Sequence, residues 1–161
     1  MHIWTIEKWV KHLNYDSQKY RKGLRLRFDD NVDPEVKRAC KEFCNWLRKE
    51  YFFPVRVPIY IKGTKQIKAL SGEMASATFF FPFDTNDEPY ARVATGDYFE
   101  LLEKRGKDNA LASILSSIAH ELTHYFQWIN GINLTEMGAE RQATAYARFI
   151  LDEYAETRKH P

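Results

Sequence analysis

The sequence predicts an α+β fold, in which helices surround a small, mostly antiparallel sheet and the chain ends in a hairpin of two helices. Apolar residues recur with helical spacing towards both ends of the chain, whereas the middle alternates apolar and polar residues as strands do. The chain has 161 residues, no internal repeat and no evident linker. We therefore expect a single domain that spans residues 1–161.

The composition indicates an ordinary globular protein: 44% of the residues are hydrophobic and 15% are aromatic, enough for a sizeable core. No apolar run approaches the ~18 residues of a membrane span, and the first residues lack the pattern of a signal peptide. We expect a cytoplasmic protein without membrane contact. The net charge of +2 gives no reason to expect a nucleic-acid partner. That alternative would rest on two basic runs, Lys19–Arg27 and Lys62–Lys68, which are more typical of solvated faces.

Two helices and one strand are expected in the first third of the chain. Apolar residues at helical spacing predict a helix over about residues 3–20. Leu24, Leu26 and Phe28 alternate with arginines and predict a short strand. Asp33 and Pro34 form a good N-cap and N1 pair, so a second helix should begin there and end near residue 51.

The only two cysteines, Cys40 and Cys44, lie one turn apart on this second helix. Their spacing suits a metal, but two ligands alone do not complete a site. We therefore expect two buried free thiols that face the core.

The middle of the chain has the period of strands. Residues 55–62 predict a strand in which Pro58 favours an edge or a strand end. A second strand is expected from about Ala75 to Phe83, with Ala77, Phe79, Phe81 and Phe83 on one face. A turn over residues 84–89 then leads into a third strand, Tyr90–Ala94.

The C-terminal third returns to helical spacing. A long helix is expected from about Asn109 to Asn130, and Gly131 is placed to terminate it. The last helix should begin near Asn133 or Thr135, with Glu136 three residues after Asn133 as in a capping box.

The long helix contains the motif His120-Glu-Leu-Thr-His124. Positions i and i+4 lie on one helix face, so both imidazoles can bind a single Zn²⁺ ion. Glu121 lies ~100° around the helix, where its carboxylate can hold a water molecule without ligating the metal and can act as a general base. Ionisable groups in so apolar a stretch are costly to bury unless they are paired or bind a metal.

A catalytic zinc needs a third protein ligand and one open position. The only later histidine, His160, is next to the C-terminus, so an acidic ligand is expected. If the two last helices are antiparallel, Glu140 and His124 each lie ~9 Å from the turn, whereas Glu136 lies only ~3 Å from it. Glu140 is therefore the predicted third ligand.

His120–His124 followed by Glu140-Arg-Gln-Ala-Thr144-Ala-Tyr-Ala resembles the gluzincin metallopeptidases, whose HExxH helix precedes a helix with the motif E-x-x-A-[DN]-x-x-A. The layout is similar to the minigluzincin or ImmA/IrrE-like type. The resemblance covers about residues 109–155 and implies a zincin-like fold with His120, His124 and Glu140 as zinc ligands. The sequence departs from the pattern at Thr144, where the family has an Asp or Asn that steadies a zinc histidine.

The resemblance implies a zinc-dependent peptidase that hydrolyses peptide bonds in a peptide or protein substrate, with Glu121 as general base and acid. Gluzincin substrates lie along an edge strand, here either Ala75–Phe83 or Tyr90–Ala94. Three tyrosines are candidates for stabilising the oxyanion, and the sequence does not choose among them: Tyr125, Tyr146 and Tyr154. Because Thr144 can hold a histidine only weakly, the alternative is a catalytically silent zinc-bearing regulatory or binding protein.

Overall fold

The computed structural model describes residues 2–11, 23–84 and 87–161, and these residues form an α+β fold. Four α-helices lie within the described ranges: α1 (Pro34–Glu50), α2 (Tyr98–Arg105), α3 (Lys107–Ile129) and α4 (Glu136–Ala155). A short 3-10 helix covers Lys8–Lys11. The strands are β1 (Leu24–Phe28), β2 (Val57–Lys62), β3 (Ile67–Lys68), β4 (Met74–Ala75), β5 (Ala77–Phe80) and β6 (Tyr90–Ala94).

The main sheet is mixed, so the prediction of a mostly antiparallel sheet was wrong. Its strand order is β1-β2-β6-β5. β2 is parallel to both β1 and β6, and only β5 runs antiparallel to its neighbour β6. The connections explain this, because helix α1 carries the chain from the end of β1 back to the start of β2, which produces a parallel pair. β3 and β4 form a separate two-stranded antiparallel ribbon.

Helix α1 has the start and end that its sequence predicts. The Asp33 carboxylate accepts a hydrogen bond from the Glu35 N–H at 2.8 Å, and Pro34 occupies the first helical position. The two cysteines are free and fully buried, as expected. Burial raises the pKa of Cys44 to about 12, so this thiol stays protonated and packs as a small apolar side chain.

Two predicted elements near the start and middle of the chain are shorter than expected. A helix was expected over residues 3–20. The described part of this segment, residues 2–11, contains only a turn followed by the 3-10 helix, and the rest lies outside the described residues. The strand Ala75–Phe83 is bent at Ser76, and β5 ends at Phe80, before Pro82. Phe81 and Phe83 are therefore exposed and do not continue an apolar face.

Two further differences concern helices. Helix α2 was not expected, although Tyr98, Leu101 and Leu102 have helical spacing after Gly96. Helix α4 begins at Glu136 with Thr135 as its N-cap, whose hydroxyl accepts from the Gly138 N–H at 3.0 Å. The capping box that begins at Asn133 was therefore wrong, and the alternative start at Thr135 is confirmed.

Helix α3 lies at the centre of the described fold. It packs against β5, β6 and the other three helices. The N-terminal segment also contacts it: the Trp4 indole N–H donates to the Thr123 hydroxyl at 3.0 Å, and the same hydroxyl donates to the Ala119 carbonyl. None of the described helices combines the length and the low polarity that crossing a bilayer requires.

Candidate metal centre

The turn between α3 and α4 positions the candidate site by setting the relative height of the two helices. Gly131, with φ +61°, ends α3; its N–H donates to the Trp128 carbonyl at 3.1 Å and the Ile132 N–H donates to the Gln127 carbonyl at 3.0 Å. These two bonds form a Schellman motif. Thr135 then starts α4, so the helices run back along each other after a short loop.

His120, His124 and Glu140 lie together on the facing sides of these helices. The Nε2 atoms of His120 and His124 are each 2.9 Å from a different carboxylate oxygen of Glu140. One ligand atom from each residue lies within 4.8 Å of the other two. The three side chains could therefore hold a metal ion, as the helical spacing and the hairpin register suggest.

Gln127 fixes the proton position on His124. The Gln127 side-chain N–H2 group donates to the Ala139 carbonyl at 3.0 Å, and a carbonyl can only accept. The Gln127 Oε1 atom must then accept from His124, whose Nδ1 lies 2.8 Å away and carries a proton. In the neutral ring, the lone pair is on Nε2 and points towards Glu140, which suits a metal such as zinc.

Hydrogen-bond acceptors therefore lie close together where His120, His124 and Glu140 meet. The Glu140 carboxylate is an acceptor, and so is the Nε2 atom of a neutral His124. Two acceptors at 2.9 Å need a proton or a cation between them. Burial, followed by the charge of His124, lowers the pKa of His120, with Glu140 acting in the opposite direction. A metal cation would satisfy all three groups without a proton on either Nε2 atom.

Glu121 lies next to the three-residue group and is more deeply buried than any of its members. Only 6% of its surface is exposed. Burial, and to a lesser extent the charge of Glu140, raises the pKa of Glu121 to about 8. A nearby divalent cation would lower this pKa again, because it stabilises the carboxylate form. Burial and a bound cation would therefore act on the pKa of Glu121 in opposite directions.

Glu121 and His120 also line a cleft of about 270 Å³ between α3 and the start of β5. Ser76 and Ala77 form the side of the cleft on the strand, and Ser116 and Ser117 form the side on the helix. β5 is an edge strand of the main sheet, whereas β6 is internal. Of the two strands that could border a bound chain, only β5 has an open edge within the described residues.

The contacts described for Thr144 and the three candidate tyrosines include neither Glu121 nor the two imidazoles. Thr144 is exposed on α4, and its hydroxyl makes no hydrogen bond with either imidazole within the described residues. The Tyr125 hydroxyl is bound to the Val55 backbone at 2.7 and 2.9 Å. Tyr146 packs against His2, and Tyr154 packs against Phe43. None of these contacts directs a hydroxyl towards Glu121.

Gln127 was missed in the sequence, although a signal was present. It lies three residues after His124, on the same helix face, in a segment whose neighbours are apolar or aromatic. A polar side chain on such a face needs a partner. That requirement points to His124 as one partner and to the following helix as the other.

The comparisons with known proteins found no relationship. No protein-family model matches the chain, no curated protein is significantly similar to it, and no solved structure matches its fold.

Proposed function

We propose that this protein is a zinc-dependent peptidase with a zincin-like fold of the gluzincin type, and that it hydrolyses peptide bonds in a peptide or protein substrate. One observation carries the proposal: two imidazoles and a carboxylate from adjacent helices converge within 4.8 Å beside a buried glutamate. His120, His124 and Glu140 would hold the ion, leaving one position open. This set of nitrogen and oxygen donors is typical of catalytic zinc sites.

Zinc bound there would polarise the scissile carbonyl and acidify a water molecule. Glu121 would accept the proton of that water as it attacks, and then deliver the proton to the leaving amine. Its burial favours this role, since burial raises the pKa of the carboxyl group and so opposes the lowering by the cation. Gln127 would keep His124 oriented and its Nε2 atom unprotonated.

The substrate would lie extended in the cleft between β5 and α3. An edge strand offers unpaired backbone groups to a second chain, and the β5 edge lies next to the cleft that contains His120 and Glu121. The sequence-based prediction of a cytoplasmic location belongs with this proposal, since Cys40 and Cys44 are free thiols, as is usual in a reducing compartment.

A catalytically silent, zinc-bearing regulatory or binding protein is the second candidate. The observation that favours it is the exposed Thr144, which supports neither histidine. Replacing Thr144 by Asp should hold or raise both zinc affinity and any cleavage rate in an enzyme. A parent protein that binds zinc but cleaves nothing in a broad peptide library, before and after Thr144→Asp, would support the silent protein instead.

The first experiment measures metal and activity together. Protein purified without chelator should contain about one Zn²⁺ per chain by mass spectrometry, and His120→Ala or His124→Ala should remove it, because each supplies one of three ligands. Mixed peptides should be cleaved, and chelator should abolish the cleavage. Zinc retained at full occupancy in both histidine variants would rule out this site.

A further inference from the structure

A second, wider groove continues from the candidate site. It has a volume of about 820 Å³ and runs between α2, α3 and α4. Ser116 and Ser117 line both this groove and the smaller cleft that contains His120 and Glu121. The cleft and the groove therefore adjoin each other at these two serines, so a chain bound in the cleft would enter the groove there.

The groove is bordered mainly by positive charge. Lys104 and Arg105 from the end of α2 and Arg148 from α4 line it, and among the described lining residues only Asp152 is acidic. Within the described chain, no carboxylate forms an ion pair with any of the three basic side chains. Other basic side chains do have such partners: Arg38 lies 2.6 Å from Glu35, and Arg158 lies 2.8 Å from Glu42.

Small side chains on α3 also line the groove, Ala112 and Ser113 among them. Small residues leave room for a main chain to lie against the helix, and hydroxyls can donate to its carbonyls. A groove with this lining can accommodate one extended peptide.

We propose that this groove binds an acidic segment of the substrate through its aspartate and glutamate side chains. The inference rests on the peptidase proposal, because it uses the cleft at His120 as its origin. Lys104 and Arg105 lie on α2, and Arg148 lies on α4. A carboxylate bound between these helices would therefore meet cations from both sides.

The helix geometry gives the distance of the acidic residue from the bond that is cleaved. Ser113 precedes His120 by seven residues, or ~10 Å along the helix, and Asn109 precedes it by eleven, or ~16 Å. An extended chain advances ~3.3 Å per residue. The acidic residues should therefore lie roughly three to five residues from the scissile bond.

The test compares peptides that differ only by Glu or Gln at these positions, using the zinc-loaded, full-length protein. The parent should cleave the Glu peptide with a kcat/KM roughly three- to tenfold above that of the Gln peptide, mainly through a lower KM, and salt should reduce the preference. In the double variant Arg105→Gln/Arg148→Gln the ratio should fall to about one. Arg27→Gln is the matched control, because Arg27 is an exposed arginine on β1, at the opposite edge of the sheet.

Binding of a fluorescent Glu-rich peptide, measured by anisotropy on the same proteins, separates this inference from the peptidase proposal. Cleavage without a preference for Glu, or a preference that survives in the double variant, overturns the acidic groove and leaves the peptidase. Peptide binding that depends on both arginines but is never followed by cleavage would support the acidic-peptide groove and contradict the peptidase proposal. Tighter, arginine-dependent binding of a single-stranded oligonucleotide than of the acidic peptide would also overturn the inference.

Discussion

The two helices of the C-terminal hairpin contribute to the candidate site from very different environments. Of the 23 residues of α3, 13 are buried, and it packs against strands and helices alike. Only four residues of the 20-residue α4 are buried. His120 and His124 therefore belong to a helix fixed by the core, whereas Glu140, with 57% of its side chain exposed, belongs to a helix on the surface.

Because of this difference in burial, the site residues on α3 and on α4 are held in place in different ways. On α3, packing fixes the two imidazoles and Glu121 before any ligand arrives, so changes there affect both the site and the stability of the fold. On α4, the turn and the Gln127 bonds to Ala139 and Gln142 determine where Glu140 lies. Changes on α4 should therefore affect metal affinity with little loss of stability.

The largest expected effect concerns Glu121 on α3. Glu121→Gln keeps the size of the side chain but removes its basicity, so peptide cleavage should fall by at least ~10²–10⁴-fold. Zinc content should change little, because Glu121 does not ligate the ion in the proposed site. Cleavage rates and metal content measured on the same preparation check both statements. Unchanged cleavage would place the chemistry elsewhere in the molecule.

A pH dependence of stability tests the burial of Glu121 directly. In chelator-treated protein its pKa is about 8, above the ordinary value of 4.5, so the folded state holds a proton that the unfolded state releases. This contribution to stability is fully present below pH ~4.5 and is lost as pH rises through ~8, a change on the order of a few kcal/mol.

Urea unfolding of chelator-treated parent and Glu121→Gln proteins at several pH values measures this effect. The two should have similar stabilities near pH 5, and the variant should become the more stable one by pH 8. Glu140→Gln is the control from α4. It should retain most of the pH dependence of the free energy of unfolding, since burial is the larger cause of the raised pKa of Glu121. Parallel pH profiles for the parent and Glu121→Gln would contradict the buried position of Glu121.

The sequence predicts the hairpin better than the sheet for a physical reason. The ends of α3 and the spacing of His120 and His124 depend on neighbouring residues, and the position of Glu140 depends on one short turn. Strand order depends on pairing between distant segments, such as Ile59 with Ala91, which no local pattern encodes. The mixed sheet and the bend at Ser76 could not be derived from alternation alone.

The height of Glu140 on α4 gives a matched test of two acids. Glu140→Gln should weaken zinc binding by at least ~100-fold, more than the loss of a group that only supports a ligand. Glu136→Gln should not, since Glu136 lies in the first turn of α4 and is not among the residues that converge. Competition titration with a zinc indicator measures both affinities. A stronger effect of Glu136→Gln than of Glu140→Gln would mean that the hairpin register is wrong by about one turn.

The smallest expected effect concerns Gln127, which connects the two helices. Gln127→Leu removes the acceptor of the His124 Nδ1–H and the donor to Ala139, so zinc affinity should fall by roughly 10–100-fold. Gln127→Glu keeps the acceptor and should retain more of the affinity. Gln142→Leu is the control, because Gln142 bonds to Gln127 but is not bonded to the imidazole. Thermal unfolding of each metal-free variant separates a loss of hairpin stability from a loss of His124 orientation. If Gln127→Leu is less stable than the parent but binds zinc as tightly, then Gln127 supports the hairpin and does not orient His124.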